Sequence, residues 1–436
     1  MVVITLGGVR SKTFWIIDYI RGRRIARHIN DIKECLANPD KANEQVELRT
    51  GNLLDHACAT TNWYRRLKGH ELLRDFPVID KETIKRNYSD FLSSAFDKSN
   101  LIPVTTSGSY GTPFTFYLSR EKKAHQTAEI IFFNEWAGYE IGMKHAYVMV
   151  TNTKGAIKRL MQNEVVINPT IMDTEWLARQ RSLLLNSDIK FLIGRPSSMG
   201  EIATYCSRKG DKPDSFHLRG VISTAESLSE RDREKMQEVF GHNVLSRYAT
   251  EELGVLAHEC VAKQRYHINV ASHVIEVLAL GEDTPVGPGQ LGRVVVTDLF
   301  SHAMPLIRYD TGDLATIGPD CSCGINTPVL GSIEGRMVEM IYDTKGRHIS
   351  PFAIHETMRD IEDVLQFQFI QKSSNTYHMK LRVLEGFKRD VSEKTILERQ
   401  RRILGGDSVI KIQYVEEIPS LPSGKRPYII NEIGLR

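Results

Sequence analysis

A chain of 436 residues exceeds what one hydrophobic core organises, so two or three domains are expected. Its hydrophobic share of 41% and charged share of 25% are ordinary globular values, and a formal charge of +3 gives no electrostatic reason for a nucleic-acid partner. No apolar run reaches the roughly 18–20 residues of a membrane span, and the start Met1-Val2-Val3-Ile4 has no basic segment ahead of it, so no transmembrane segment is expected and the location expected is cytoplasmic.

The first 90 residues read as mostly helical. Among them Phe14-Trp15-Ile16-Ile17, followed by Arg21, Arg23, Arg24 and Arg27, has the make-up of an amphipathic helix whose basic face meets solvent or a membrane surface. Two apolar β-type runs, 101–104 and 114–118, flank Thr105-Thr106-Ser107-Gly108-Ser109-Tyr110-Gly111-Thr112-Pro113. Glycines there let the backbone approach a ligand closely, and the hydroxyls donate to phosphate oxygens. The loop lacks the Gly-Lys-Ser/Thr ending of a Walker loop and leads into a strand rather than a helix.

Residues 122–138 carry Ala124, Ala128, Ile131, Phe132 and Trp136 at helical spacing. Short apolar strands then alternate with capped helices. A strand at 189–193 precedes a helix opened by Ser198 and Glu201 as a capping box, and a strand at 218–222 precedes a helix running from Ser229 to Gly241. A further strand follows at 244–248. This alternation predicts a parallel sheet with right-handed crossovers. It puts Ser223-Thr224-Ala225-Glu226 and Tyr248-Ala249-Thr250-Glu251-Glu252 at the carboxyl ends of neighbouring strands, where open α/β sheets bind ligands.

Near the end of the next β-like run, Asp313 follows a turn at Gly312, and a carboxylate so placed grips the vicinal hydroxyls of a ribose. Gly335-Arg336 marks a domain boundary with an always-charged fork. Beyond it, strands at 337–342, 365–372, 376–383 and 409–415 are interleaved with helices starting at Ser350-Pro351 and Asp390, giving the order β-α-β-β-α-β. The fold class expected is α/β. A large N-terminal α/β domain with a partly parallel sheet, residues 1–336, is joined by a hinge to a small C-terminal α+β domain, residues 337–436. On a loop of the latter, Pro422-Ser423-Gly424-Lys425-Arg426 supplies a lysine able to act across the interdomain cleft.

Taken together and in this order, these segments resemble the adenylate-forming superfamily of acyl-CoA synthetases, adenylation domains and luciferases. The likeness is greatest to phenylacetate–CoA ligase-like enzymes, including the CapK-type proteins of capsular polysaccharide clusters, and it runs from Phe76-Pro77-Val78-Ile79-Asp80-Lys81 to Lys425. The resemblance implies ATP, Mg²⁺, a small carboxylic acid and CoA as ligands, with an amine or sugar as the alternative acceptor. It implies that Thr106, Ser107, Gly108, Ser109, Gly111 and Thr112 hold the β- and γ-phosphates, and that Ala225 and Glu226 border the adenine beside Tyr248. Thr250 would contact the α-phosphate, Glu251 would hold Mg²⁺, Asp313 would bind the ribose with Arg336 nearby, and Lys425 would bridge the acid and the α-phosphate. Glu339 falls at the hinge position, and 346–351 matches a loop that lines the thiol tunnel. The sequence departs from the family pattern at Tyr110, Ala225, Ala249 and Glu339, where Thr, Gly, Gly and Asp are usual. A non-catalytic nucleotide-binding protein is the reading from another class.

Cys260-x6-His267 followed by Cys321-Ser322-Cys323 offers four ligands for a tetrahedral, structural Zn²⁺, with His258 as the alternative histidine; some relatives in the resembled family carry zinc at matching positions. Cys35, Cys58 and Cys206 stand isolated.

Overall fold

The computed structural model describes residues 6–70, 72–106, 114–149, 154–170, 172–262, 265–336, 341–349, 353–354, 357–358, 361, 363–384, 386–387, 389–419 and 427–433. The N-terminal part is helical, as expected: α1 (Leu6–Ile20), α2 (Arg24–Ala37), α3 (Pro39–Thr60), α4 (Asn62–Arg65) and α5 (Lys81–Arg86). The antiparallel hairpin of β1 (Ile102–Thr106) and β2 (Phe114–Leu118) follows, with Thr106 opposite Phe114, and the loop 107–113 lies outside the described residues.

Next comes α6 (Arg120–Trp136), whose first turn is capped by Ser119 Oγ accepting from Lys122 N at 3.0 Å. After it, β3 (His145–Val148), α7 (Ala156–Gln162), β4 (Glu164–Ile167), α8 (Thr174–Asn186), β5 (Phe191–Gly194), α9 (Pro196–Arg208), β6 (Gly220–Thr224), α10 (Glu230–Phe240) and β7 (Val244–Thr250) build a parallel sheet in the order β4-β3-β5-β6-β7. Every residue of β5 and β6 is buried, the pattern of strands covered on both faces. Ser229 caps α10 and Gly241 ends it in the left-handed region, as the sequence suggests. The capping box at Ser198 is not formed. Pro196 occupies the first turn of α9 and moves the start back to Arg195, leaving Ser198 buried inside the helix.

From β7 the sheet turns antiparallel through β8 (Gly254–Glu259), β9 (Tyr266–Ile268), β10 (His273–Leu278), β11 (Leu291–Asp298), β12 (Tyr309–Ile317) and β13 (Val329–Arg336). The full order is β10-β11-β12-β13-β9-β8-β7-β6-β5-β3-β4. One core lies between the antiparallel half and the N-terminal helices around Tyr64, Phe76, Phe91 and Phe116, and another between the parallel half and α8–α10 around Met199, Met236 and Phe240.

The C-terminal part holds the hairpin β14 (Ile341–Tyr342) and β15 (His348–Ile349), then β16 (Val364–Gln371), β17 (Thr376–Val383), α11 (Arg389–Leu404), β18 (Val409–Tyr414) and β19 (Ile429–Asn431). Its four-stranded sheet has the order β18-β17-β16-β19. Of the strand expected at 337–342, residues 337–340 lie outside the described residues and 341–342 form the short β14, which pairs with β15; β19, not expected from the sequence, takes the edge place parallel to β16.

The buried face of α6 is polar, although its apolar spacing marks an ordinary core helix. Lys122 Nζ donates to Asp298 Oδ1 and to the Leu253 carbonyl, both at 2.7 Å. Gln126 Nε2 donates to the carbonyls of Glu251 and Glu252 at 3.3 Å each, and Glu129 Oε2 accepts from Val255 N at 3.0 Å. Gly254 sits between them at φ +99°, where a β-carbon would meet Glu129 Oε2 at 2.3 Å. Four consecutive contacts therefore bind the turn after β7 to a single helix face. Burial raises the pKa of Asp298 and lifts Glu129 to about 7. Lys122→Met leaves Asp298 without its cation in the interior, and urea unfolding should show a loss of about 3–5 kcal/mol; a loss below about 1 kcal/mol would mean that the pair contributes little.

Candidate functional site

The loops after β6 and β7 meet beneath the antiparallel half of the sheet. Thr224 ends β6 and Ala225 turns the chain at φ 72°, a left-handed conformation that favours glycine. This is one of the positions where the resembled family usually has glycine. The turn aims Glu226 back at α9, where its Oε2 accepts from Ser197 Oγ at 2.6 Å and Arg195 Nε stands 3.9 Å from Oε1. Ser197 also lines a cavity together with Tyr428, just ahead of β19 in the C-terminal part of the chain. Ser227 Oγ donates to the Ile333 carbonyl of β13 at 3.5 Å, closing the loop over the other half of the sheet.

On β7, Tyr248 donates its hydroxyl to Asp313 Oδ2 on β12 at 2.8 Å. Burial, reinforced by the Asp313 carboxylate, raises the Tyr248 pKa well above its usual value, so the phenol stays a donor. Four strand steps separate β7 from β12 in the sheet order, about 19 Å were the sheet flat. Only a sharply curled sheet lets the two side chains meet. Asp313 lies within β12 rather than after it. Gly312 adopts φ 76° and its N–H donates to Asp310 Oδ1 at 2.9 Å, so the glycine bends the strand without ending it. Arg336 is the register partner of Asp313 across β12–β13.

Thr250 closes β7, and its Oγ1 accepts from Leu253 N at 3.2 Å. Glu251 follows on the turn held by Gln126 and is exposed, which leaves its carboxylate open to a cation. Its neighbour Glu252 is buried with a raised pKa, caused first by burial, and accepts from the Tyr309 hydroxyl at 3.4 Å. The structure thus gathers Ala225, Glu226, Tyr248, Thr250, Glu251, Asp313 and Arg336 around one end of the parallel strands. Ser107, Gly108, Ser109, Gly111, Thr112, Glu339 and Lys425 lie outside the described residues, as do positions 350 and 351 of the 346–351 loop. Sequence reasoning missed Ser197 and the polar face of α6, because each acts on a partner distant in the chain.

A second cluster sits where β9 meets β13. One ligand atom from each of Cys260, His267, Cys321 and Cys323 lies within 4.8 Å of all the others. Cys260 Sγ is 3.8 Å from Cys321 Sγ, and Cys323 Sγ is 3.3 Å from His267 Nε2. Tetrahedral zinc with Zn–S of about 2.3 Å and Zn–N of about 2.0 Å needs separations of about 3.8 and 3.6 Å, so this donor set fits it. Thr327 Oγ1 at 3.0 Å from His267 Nδ1 orients the ring. His258, the alternative histidine, is not in this group. It is buried against Phe133, with Nδ1 2.8 Å from the Glu259 carbonyl.

The two parts of the chain touch through Arg231 Nη2 donating to the Val364 carbonyl at 2.8 Å and Gln366 Nε2 donating to Glu201 Oε1 at 2.8 Å. Beside these contacts a cavity of about 340 Å³ is lined by Tyr205, Arg208, Arg231, Met358, Phe367 and Tyr428.

This fold is that of the adenylate-forming ligases. It superposes on the crystal structure of 2-hydroxyisobutyryl-CoA ligase in the postadenylation state, in complex with R3-HIB-AMP, with a TM-score of 0.73 and 16% identity over 89% of each chain. Within that class the chain is a sequence relative of phenylacetate–coenzyme A ligase and of CapK. It is 26% identical to the ligase of Thermus thermophilus over 385 residues, 82% of this chain and 85% of that one. It is 24% identical to the protein CapK of Staphylococcus aureus over 373 residues, 83% of this chain and 80% of that one. Residues 341–432 match the CapK C-terminal domain.

A β-carbon in the left-handed region costs about 1–2 kcal/mol, partly offset by the greater unfolded-state freedom of glycine. Ala225→Gly should therefore stabilise the protein by up to about 1 kcal/mol in chemical denaturation. Equal or lower stability would mean that the turn carries no strain.

Proposed function

We propose that this chain is an AMP-forming acid ligase. A carboxylate oxygen of the acid attacks the α-phosphorus of ATP, the α–β phosphoanhydride bond breaks, and acyl-adenylate and pyrophosphate result. In the second step the thiol of CoA attacks the acyl carbon, AMP leaves, and a thioester is formed with release of a proton. The observation that carries this reading is the hydrogen bond of Tyr248 to Asp313, with Arg336 as the register partner of Asp313, near the Glu226 and Thr250 loops.

In this reading Asp313, kept in place by the Tyr248 hydroxyl, receives the ribose hydroxyls, with Arg336 alongside. Ala225 and Glu226 border the adenine, and Thr250 meets the α-phosphate. The loop from Thr106 through Ser107, Gly108, Ser109 and Gly111 to Thr112 cradles the terminal phosphates. Glu251 would hold Mg²⁺, which offsets the charge of the triphosphate, and Lys425 neutralises the approach of one anion to another. The chemistry calls for positioned charge more than for proton transfer. The match to the CapK C-terminal domain supports a second reading, in which the adenylate is the same but the acceptor is an amine or a sugar hydroxyl. In this reading the domain boundary falls near residue 336, which the end of the large sheet at β13 supports.

ATP–pyrophosphate exchange with Mg²⁺ should appear with one class among aryl, aryl-acetic, fatty, hydroxy and amino acids. Lys425→Ala should slow it by about 10²–10³-fold, the usual cost of one preorganised charge contact. Exchange with no acid despite MgATP binding, or wild-type exchange in Lys425→Ala, would overturn the reading or the lysine's role in it.

Cys260, His267, Cys321 and Cys323 would hold Zn²⁺ as a structural ion, since four protein ligands leave no open position. Elemental analysis should find about one zinc per chain, and chelation should lower stability. Metal-free protein of full stability would reject the site.

A further inference from the structure

The α1–α2 elbow takes no part in the site described above, yet it is firmly built. Asp18 is buried and accepts from Ile25 N at 3.0 Å and Ala26 N at 3.1 Å, capping the start of α2 with a side chain from α1. Gly22 and Arg23 make the corner at φ 84° and 55°. The sequence pattern suggests a single amphipathic helix running on into the arginines. The elbow instead folds the basic segment across the end of α1.

α1 turns an apolar face to solvent. Val9, Ile16, Tyr19 and Ile20 are 47%, 59%, 71% and 77% exposed. At 3.6 residues per turn Val9, Ile16 and Ile20 fall within about 40° of one another around the helix, with Tyr19 at the border of the stripe. Arg21, Arg23, Arg24 and Arg27 follow at once and are all exposed. Between residues 6 and 29 there are six Lys and Arg side chains, counting Arg10 and Lys12, against a single acid, Asp18, which the cap consumes. Among the described residues no carboxylate is paired with any of the four arginines.

We propose that the α1–α2 elbow docks this protein on an anionic phospholipid surface, with Val9, Ile16 and Ile20 entering the headgroup–acyl boundary and the four arginines meeting lipid phosphates. The charge selects this occupant. A second copy of the chain packed on the same face would bring two arginine clusters together, whereas an anionic bilayer offers apolar and negative surface at once. Tyr19 at the stripe's edge has the amphipathic character that places aromatic rings at the headgroup level. No helix among the described residues is long and apolar enough to cross a membrane, so the contact is in-plane. The proposal does not depend on the ligase reading.

The test is co-sedimentation of the full chain with vesicles of equal parts phosphatidylglycerol and phosphatidylcholine, against phosphatidylcholine alone. Binding is expected only to the anionic vesicles. It should weaken as salt rises from about 0.1 to about 1 M, where screening shortens from about 10 to about 3 Å. Each arginine near the surface contributes roughly fivefold to partition, so changing Arg21, Arg23, Arg24 and Arg27 together to Gln should reduce it more than a hundredfold. Ile16→Ser with Ile20→Ser should also release the protein. These side chains are exposed, so the variants should keep the wild-type circular dichroism. Absence of binding to anionic vesicles, or binding retained by the folded arginine variant, would overturn the proposal. So would light scattering that shows a dimer which the Ile16→Ser, Ile20→Ser variant converts to monomer.

Discussion

Among the described residues two register pairs, Val329 with His267 and Leu330 with Tyr266, join β13 to β9, and beside them Ile268 N donates to the Pro328 carbonyl at 2.9 Å. The large sheet depends on this seam. On one side of it lie the parallel strands that carry Ala225, Glu226, Thr250 and Glu251, and on the other the antiparallel strands that carry Asp313 and Arg336. A ladder so short has little strength of its own. The thiol–imidazole cluster lies at the same place, with Cys260 at the end of β8, His267 on β9 itself, and Cys321 and Cys323 in the turn between β12 and β13. Tyr248 to Asp313 is a second tie across the same divide. Curl, cluster and hydrogen bond together give the two halves one concave face.

Behind that face the interior is polar where a core is usually apolar. The buried side of α6 forms hydrogen bonds with four residues of the turn, Glu251, Glu252, Leu253 and Val255, and Gly254 among them leaves room for Glu129 by its missing β-carbon. The exposed Glu251 is thus set on a rigid base. Burying Lys122 with Asp298 carries a desolvation cost that a pair of leucines would avoid. What the ion pair supplies in return is a fixed backbone beneath the exposed Glu251. On the other side Ser197, which holds Glu226, lines one cavity with Tyr428 at the edge of the small sheet.

Much of this was legible in the sequence. The strand–helix alternation placed the Thr224 and Tyr248 loops correctly because fully buried parallel strands read as unbroken apolar runs, as β5 and β6 do. Cys260, His267, Cys321 and Cys323, named from the sequence as one group, do come together in the structure. The start of α9 was misplaced because the capping pattern at Ser198 and Glu201 was given more weight than Pro196, which fixes the backbone three residues earlier than Asn- or Ser-type caps would suggest. β19 was not legible because it has only three residues and its pairing with β16 is non-local. The polar face of α6 was illegible for a similar reason. Lys122, Gln126 and Glu129 are spaced as a solvated stripe would be, and only Asp298 and the turn after β7, both more than 100 residues away, reveal that the stripe faces inward.

The seam also sets an order on how the chain assembles. Cys260 and Cys321 are 61 residues apart and His267 and Cys323 are 56 apart, so β9 finds β13 only after an intervening loop holding β10, β11 and β12 has closed. Loop-closure entropy must be met before such contacts reward it, which makes non-local strand pairings slow. The meeting of Tyr248 and Asp313 therefore comes late in folding, because it waits until the antiparallel strands have been made and brought back onto β9.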